Sequence, residues 1–187
     1  SSSRAHRQWA GSEWLRSVGV AAPRCVAIIR GTRDGSPVET LATQYVPGHT
    51  LLWQIARGVV KNDADSPASR AIAYAVGRDI AQIIKSGRFN RDHKPSNLVV
   101  THAGPPIAKI VTVDAVAIQP LKPEDRADGI AKMVAALIIE PRGTGNPIPA
   151  SMLRRIVDAL AHEMVGPGNA ETWTGDMLVR ANRLVEA

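Results

Sequence analysis

The segment Asn90-Arg91-Asp92-His93-Lys94-Pro95-Ser96-Asn97 runs straight into Leu98-Val99-Val100, and Asp114 follows inside Ile110-Val111-Thr112-Val113-Asp114-Ala115-Val116. The apolar run after Asn97 has the composition of a buried strand. Residues 108–113 supply a hairpin partner, joined through the turn residues Gly104-Pro105-Pro106. A hairpin brings its two outer ends together, so the loop carrying Asp92, Lys94 and Asn97 lies beside Asp114. Two carboxylates, a carboxamide and an ammonium then converge in one cleft. Asp and Asn also cap turns and end strands in many folds with no chemistry attached. A lone Asp-x-x-x-x-Asn has that bland meaning, but here the string, the strand after it and the later Asp agree on one arrangement.

In protein kinases an Asp of the catalytic loop accepts the proton of the substrate hydroxyl. An Asn five residues later holds a metal, and a second Asp holds magnesium. Asp92, Asn97 and Asp114 stand in those slots. At these residues the chain resembles the protein-kinase-like superfamily, most of all its short lipopolysaccharide kinase branch of the Kdo/WaaP type. The resemblance implies an α+β, protein-kinase-like fold, with a partial N-lobe of one helix plus a β-hairpin over 1–46 and a mainly helical C-lobe over 47–187. It implies an ATP- and Mg-dependent phosphotransferase acting on a hydroxyl of a small molecule, sugar or glycolipid. Asp92 and Lys94 would be catalytic, as base and as a point charge on the phosphoryl oxygens. Asn97 and Asp114 would be metal ligands, and Gln44, Tyr45 and Val46, at the hinge position, would bind the adenine through their backbone.

Two residues depart from the family pattern. Asn90 stands where a His usually opens the loop, and Asp114-Ala115-Val116 replaces Asp-Phe-Gly. Asn90 can also bond backbone. The second change removes the Phe whose packing sets active and inactive states; small-molecule kinases lack it too. Lys94 matches the position seen in Ser/Thr protein kinases, so a protein kinase remnant is an alternative.

The rest of the chain fits around this string. At 187 residues it holds a single core, with 44% apolar and 21% charged residues, an ordinary globular balance. A net charge of +6 favours anionic partners, nucleotide and an anionic membrane surface among them. The arginines are scattered with no aromatic-interleaved stripe, which argues against a dedicated nucleic-acid module. Cys25, the single cysteine, excludes an intrachain disulfide and sits in an apolar run as a buried small hydrophobe. No stretch approaches the roughly 20 apolar residues of a membrane span. A cytoplasmic location, peripheral at the inner membrane face, is the expectation.

Apolar periodicity predicts a helix over 4–18, a strand over 25–30, a turn over 31–36 and a second strand over 39–46. A short helix is expected over 49–55. The clearest helix is 66–86, capped by Ser66 or Asp65 and burying Ala71, Ala73, Val76, Ile80, Ile83 and Ile84. Helices over 124–139, 149–164 and 171–185 follow. There is no Ala-Pro-Glu motif and little room for an activation segment, which fits a small acceptor better than a docked protein. Trp9, Trp14, Trp53 and Trp173 read as core or contact residues, His93 as a packing residue, and His6, His49, His102 and His162 lack the paired spacing of zinc ligands.

A kinase N-lobe carries a glycine-rich loop and a strand Lys that pairs with a Glu on the next helix. Residues 1–60 contain no Lys; Lys61 is the first. Gly31 and Gly35 suit a hairpin turn rather than a phosphate cradle. Gln8 falls near the slot of the helical Glu, and Glu13 lies five residues on, about 140° round the helix. The pattern is that of a kinase-like chain lacking an upstream piece, or of a reduced pseudokinase that binds or scaffolds without catalysis.

Overall fold

The structure, a computed structural model, describes residues 3–60, 66–103 and 108–187. Ser3 starts the first helix, α1 (Arg4–Ser17), by accepting a hydrogen bond from the amide of His6 on its hydroxyl. Its buried side is made of Ala5, Gly11, Ser12 and Leu15, while Trp9 and Trp14 are half-buried. Small residues, not the tryptophans, therefore set how closely this helix approaches its neighbours.

Strands β1 (Cys25–Arg33) and β2 (Ser36–Thr43) pair antiparallel, with Arg33 opposite Ser36. The turn is only Asp34-Gly35, both at positive φ (53° and 77°), the two-residue hairpin that an Asp-Gly dipeptide favours. The expected turn over 31–36 is thus narrower, and β1 continues through Gly31 and Thr32. One face, with Ile28, Glu39 and Leu41, looks toward α1. The opposite face carries Ile29, 58% exposed, and Val38. β2 ends at Thr43, short of the expected 46, because its partner begins opposite it at Cys25; the Gln44 amide still donates to the carbonyl of Arg24 (2.8 Å).

Gly48 (φ 126°) lets the chain pass against the carbonyl of Val100, where a Cβ would come within 2.3 Å. His49–Thr50 consequently forms a short strand, β3, and the helix expected from 49 starts later, as α2 (Leu51–Ala56), capped by Thr50. Helix α3 (Pro67–Lys85) is capped by Ser66 and buries every residue of the expected stripe. The alternative cap, Asp65, lies outside the described residues. Gly87 (φ 74°) ends it, and β4 (Arg88–Asn90) leads into the loop at 91–97.

Strand β5 (Leu98–His102) pairs on one side with β3 and on the other with β6 (Lys109–Thr112), as the hairpin reading required. Its expected turn at Gly104-Pro105-Pro106 is outside the described residues. β7 (Ile118–Pro120) pairs with β4, a small sheet the sequence did not announce. Three helices complete the body: α4 (Arg126–Gly143), α5 (Ala150–Val165) and α6 (Ala170–Glu186). The first begins after a 3-10 turn at Pro123–Asp125 and runs past the expected end at 139, carrying Pro141 within it. Ile72, Val76, Ile80, Met133, Leu137, Ile156 and Leu160 are wholly or almost wholly buried in the core of this body.

Candidate active site

The strand pair β4–β7 and the hairpin β5–β6 fix the two halves of the cleft. Asn90, at the end of β4, is fully buried. Its Oδ1 accepts from the amide of Asp92 (3.1 Å) and its Nδ2 donates to the carbonyl of Asp114 (3.4 Å). This side chain ties the loop to the segment after β6, a task for which a carboxamide, with both a donor and an acceptor, is suited.

Asp92 is half-exposed. Asn97 Nδ2 donates to its carbonyl oxygen (3.0 Å) and to its Oδ2 (3.3 Å), and Lys94 Nζ lies 3.5 Å from its Oδ1. Asn97 sits in a 3-10 turn, Pro95–Asn97, and its carbonyl accepts from the amide of Val113 (2.9 Å), one residue before Asp114. The Asp114 carboxylate, 24% exposed, accepts from the amide of Val116 (3.1 Å) and meets Arg4 Nη2 at 3.4 Å. Asp92, Lys94, Asn97 and Asp114 thus stand in one place.

Gln44 and Tyr45 are exposed and Val46 is half-buried. A cavity of about 330 Å³ lined by Arg4, Gln8, Glu39, Thr43, Val113 and Asp114 stops one residue short of them. His93 is buried with neither ring nitrogen hydrogen-bonded among the described residues, and burial lowers its pKa to about 4, so it is neutral packing. Cys25 is buried, which pushes its thiol up from the usual range. Trp53 stacks on His49 at 3.9 Å, and the Arg88 guanidinium covers Trp14 at 4.9 Å.

Sequence reasoning missed three residues that shape the site. Glu140 of α4 takes Ser96 with both oxygens, from its amide (2.7 Å) and its hydroxyl (2.5 Å), and so anchors the 3-10 turn. Its signal was a carboxylate at the end of an apolar helical run. Arg4 reaches Asp114 from α1, and Gln8, placed only near a family slot, bonds both backbone groups flanking Asp114. Neither contact has a sequence signal, since more than 100 residues separate the partners.

The donor set of Asn97 and Asp114 is all oxygen, which fits a hard cation that takes one or two protein ligands and completes its shell with water and substrate phosphates. Among the described residues no group of three or more His, Cys, Asp or Glu is arranged to hold a metal alone. Magnesium carried with a nucleotide fits these residues.

No family model matches the chain, and no curated protein matches it by sequence. A solved structure described as "WaaP in complex with acyl carrier protein" matches it with a TM-score of 0.65 at 18% identity, over 97% of this chain and 75% of that one. The fold is protein-kinase-like. Identity this low speaks for the fold alone. In that fold the mixed α+β body, mainly helical with small sheets, is as the sequence implied. Among the described residues no helix is long and apolar enough to cross a membrane.

Proposed function

We propose that the chain is a kinase-like phosphotransferase that moves a phosphoryl group from ATP, with magnesium, to a hydroxyl of a sugar or glycolipid. The observation that carries this is the joint placement of Asp92, Lys94, Asn97 and Asp114 on a kinase-like fold. The acceptor oxygen would bond to the γ-phosphorus as the bond to the β–γ bridging oxygen breaks. ADP would leave, and the hydroxyl proton would pass to the Asp92 carboxylate. Lys94 would offset charge on the transferring oxygens, and Asn97 with Asp114 would hold magnesium, which supplies charge neutralisation on the phosphates. Backbone groups of Gln44, Tyr45 and Val46 are the proposed adenine contacts. Residues 1–46 and 47–187 are the proposed lobes.

A glycolipid acceptor accords with the WaaP likeness and with the net charge of +6, which suits an anionic membrane face. A partnership of the kind that WaaP's description names would be tested by co-purification with acyl carrier protein. A second reading, a pseudokinase, is favoured by the ion pair of Arg4 with Asp114, which engages the carboxylate proposed for magnesium.

Transfer of labelled phosphate from ATP to a lipopolysaccharide core, together with a thermal shift by Mg-ATP, separates the two. The transferase reading expects turnover that falls roughly 10²–10⁴-fold in Asp92→Asn. A Mg-ATP shift without turnover leaves the pseudokinase. The absence of both shift and turnover would sink the transferase reading and is what a scaffold that has lost nucleotide chemistry gives.

A further inference from the structure

One stripe of α1 follows the segment that bears Asp114. Arg4, Gln8 and Gly11 stand at i, i+4 and i+7, the spacing that puts residues on one helical face. Arg4 meets the Asp114 carboxylate. Gln8 Nε2 donates to the carbonyl of Val113 (2.9 Å) and lies 3.2 Å from the Ser12 hydroxyl. Its Oε1 accepts from the amide of Ala115 (2.8 Å). Gly11 lets the helix backbone touch the loop, since a Cβ there would sit 2.3 Å from the carbonyl of Ala115 and 2.8 Å from its Cβ. The two residues flanking Asp114 are therefore gripped from both sides by one neutral side chain.

The chemistry of this grip requires an amide. Val113 offers an acceptor and Ala115 a donor, so the side chain between them must donate and accept at once. A carboxylate has acceptors only and would face the Val113 carbonyl with like partial charge. We infer that Gln8 is a positioning residue for Asp114, holding it as a metal ligand through the backbone on either side and needing no cationic partner to do so. This deepens the proposed phosphotransferase site and rests on that reading. A residue that orients a ligand from behind usually controls metal affinity by 10–100-fold when lost.

The test measures nucleotide affinity with and without magnesium, by calorimetry with ADP, in the wild type and in Gln8→Glu, Gln8→Ala and Glu13→Gln. Glu13, on the same helix, pairs with the surface residue Arg16 and serves as the control. The gain in affinity on adding magnesium should drop at least roughly tenfold in both Gln8 variants. Affinity without magnesium, and everything in Glu13→Gln, should stay as in the wild type. Hydrogen exchange adds a readout of the grip itself: the Ala115 amide should exchange faster in Gln8→Ala, with the amides of α3 unchanged. A wild type that gains from magnesium while both Gln8 variants gain equally overturns the role of Gln8 and leaves the phosphotransferase reading standing. A wild type with no magnesium-dependent binding overturns both. Global unfolding of Gln8→Ala would show as faster exchange in α3 as well; the isosteric Gln8→Glu then decides, and an unchanged magnesium gain in it overturns the proposal.

Discussion

In α3 twelve of nineteen residues are buried, whereas along the whole of β1 and β2 only Cys25 is. The helical body thus has its own core, while the hairpin presents apolar side chains on both faces and rests one of them on α1. A two-stranded sheet is marginal by itself, so the hairpin borrows its order from the helix beneath it. The candidate site lies on the body side of this divide, in a loop anchored by the buried Asn90 and by Glu140 of α4. The residues that reach it from the other side, Arg4 and Gln8, come from α1.

The largest consequence concerns the core. Ile80→Ala, at a position with no exposure in α3, should lower the free energy of unfolding by about 2–5 kcal/mol, read from urea denaturation. Were the loss below about 1 kcal/mol, the body would be less tightly packed than its burial implies.

Two buried titratable groups in the same body act in opposite directions with pH. Asp79 has its pKa raised to about 7 by burial, with the neighbouring Arg78 opposing the shift. Between 3.8 and about 7 the folded state binds the proton more tightly, so stability falls as pH rises. Asp79→Asn should therefore stabilise the protein at pH 8 by up to about 4 kcal/mol, and by nothing near pH 4. His93 works the other way. Its pKa is lowered to about 4, so the unfolded state binds more protons between about 4 and 6.5, and stability is lost as pH falls through that window. His93→Leu should remove this loss, which is up to about 3 kcal/mol. In the wild type the two slopes oppose each other over that window and the stability profile should be nearly flat. Asp79→Asn alone should expose a rising limb and His93→Leu alone a falling one. Thermal melts of the three proteins from pH 4 to 8 check this, and parallel profiles would break the assignment.

The smallest effect belongs to the hairpin. Ile29→Ser, on its outward face, should change stability by less than about 0.5 kcal/mol. A larger loss would mean that this face is covered in solution.

Much of this division could be read in advance. The stripe Ala71, Ala73, Val76, Ile80, Ile83, Ile84 identified α3 because a 3.6-residue period is a local property, and the hairpin β5–β6 followed from two apolar runs with a turn between them. What failed did so for a non-local reason. His49–Thr50 became a strand because Gly48 brings it against Val100, about 50 residues away. The strand expected to 46 ended at Thr43 because the strand it pairs with begins opposite it, at Cys25. Of the proposed site, Asp92, Lys94, Asn97 and Asp114 were named through the resemblance of their string to a kinase loop; Gln8 was placed only near a family slot, and Arg4 and Glu140 were not named.

By itself, then, the sequence determined the helices of the body, the hairpin, and the loop whose polar residues name the chemistry to test. These depend on neighbours a few residues apart. Only the tertiary structure decided how Asp114 is held: by a guanidinium, an amide and a glycine from a helix more than 100 residues earlier. Such contacts arise from packing two faces together, and no local pattern encodes which faces will meet.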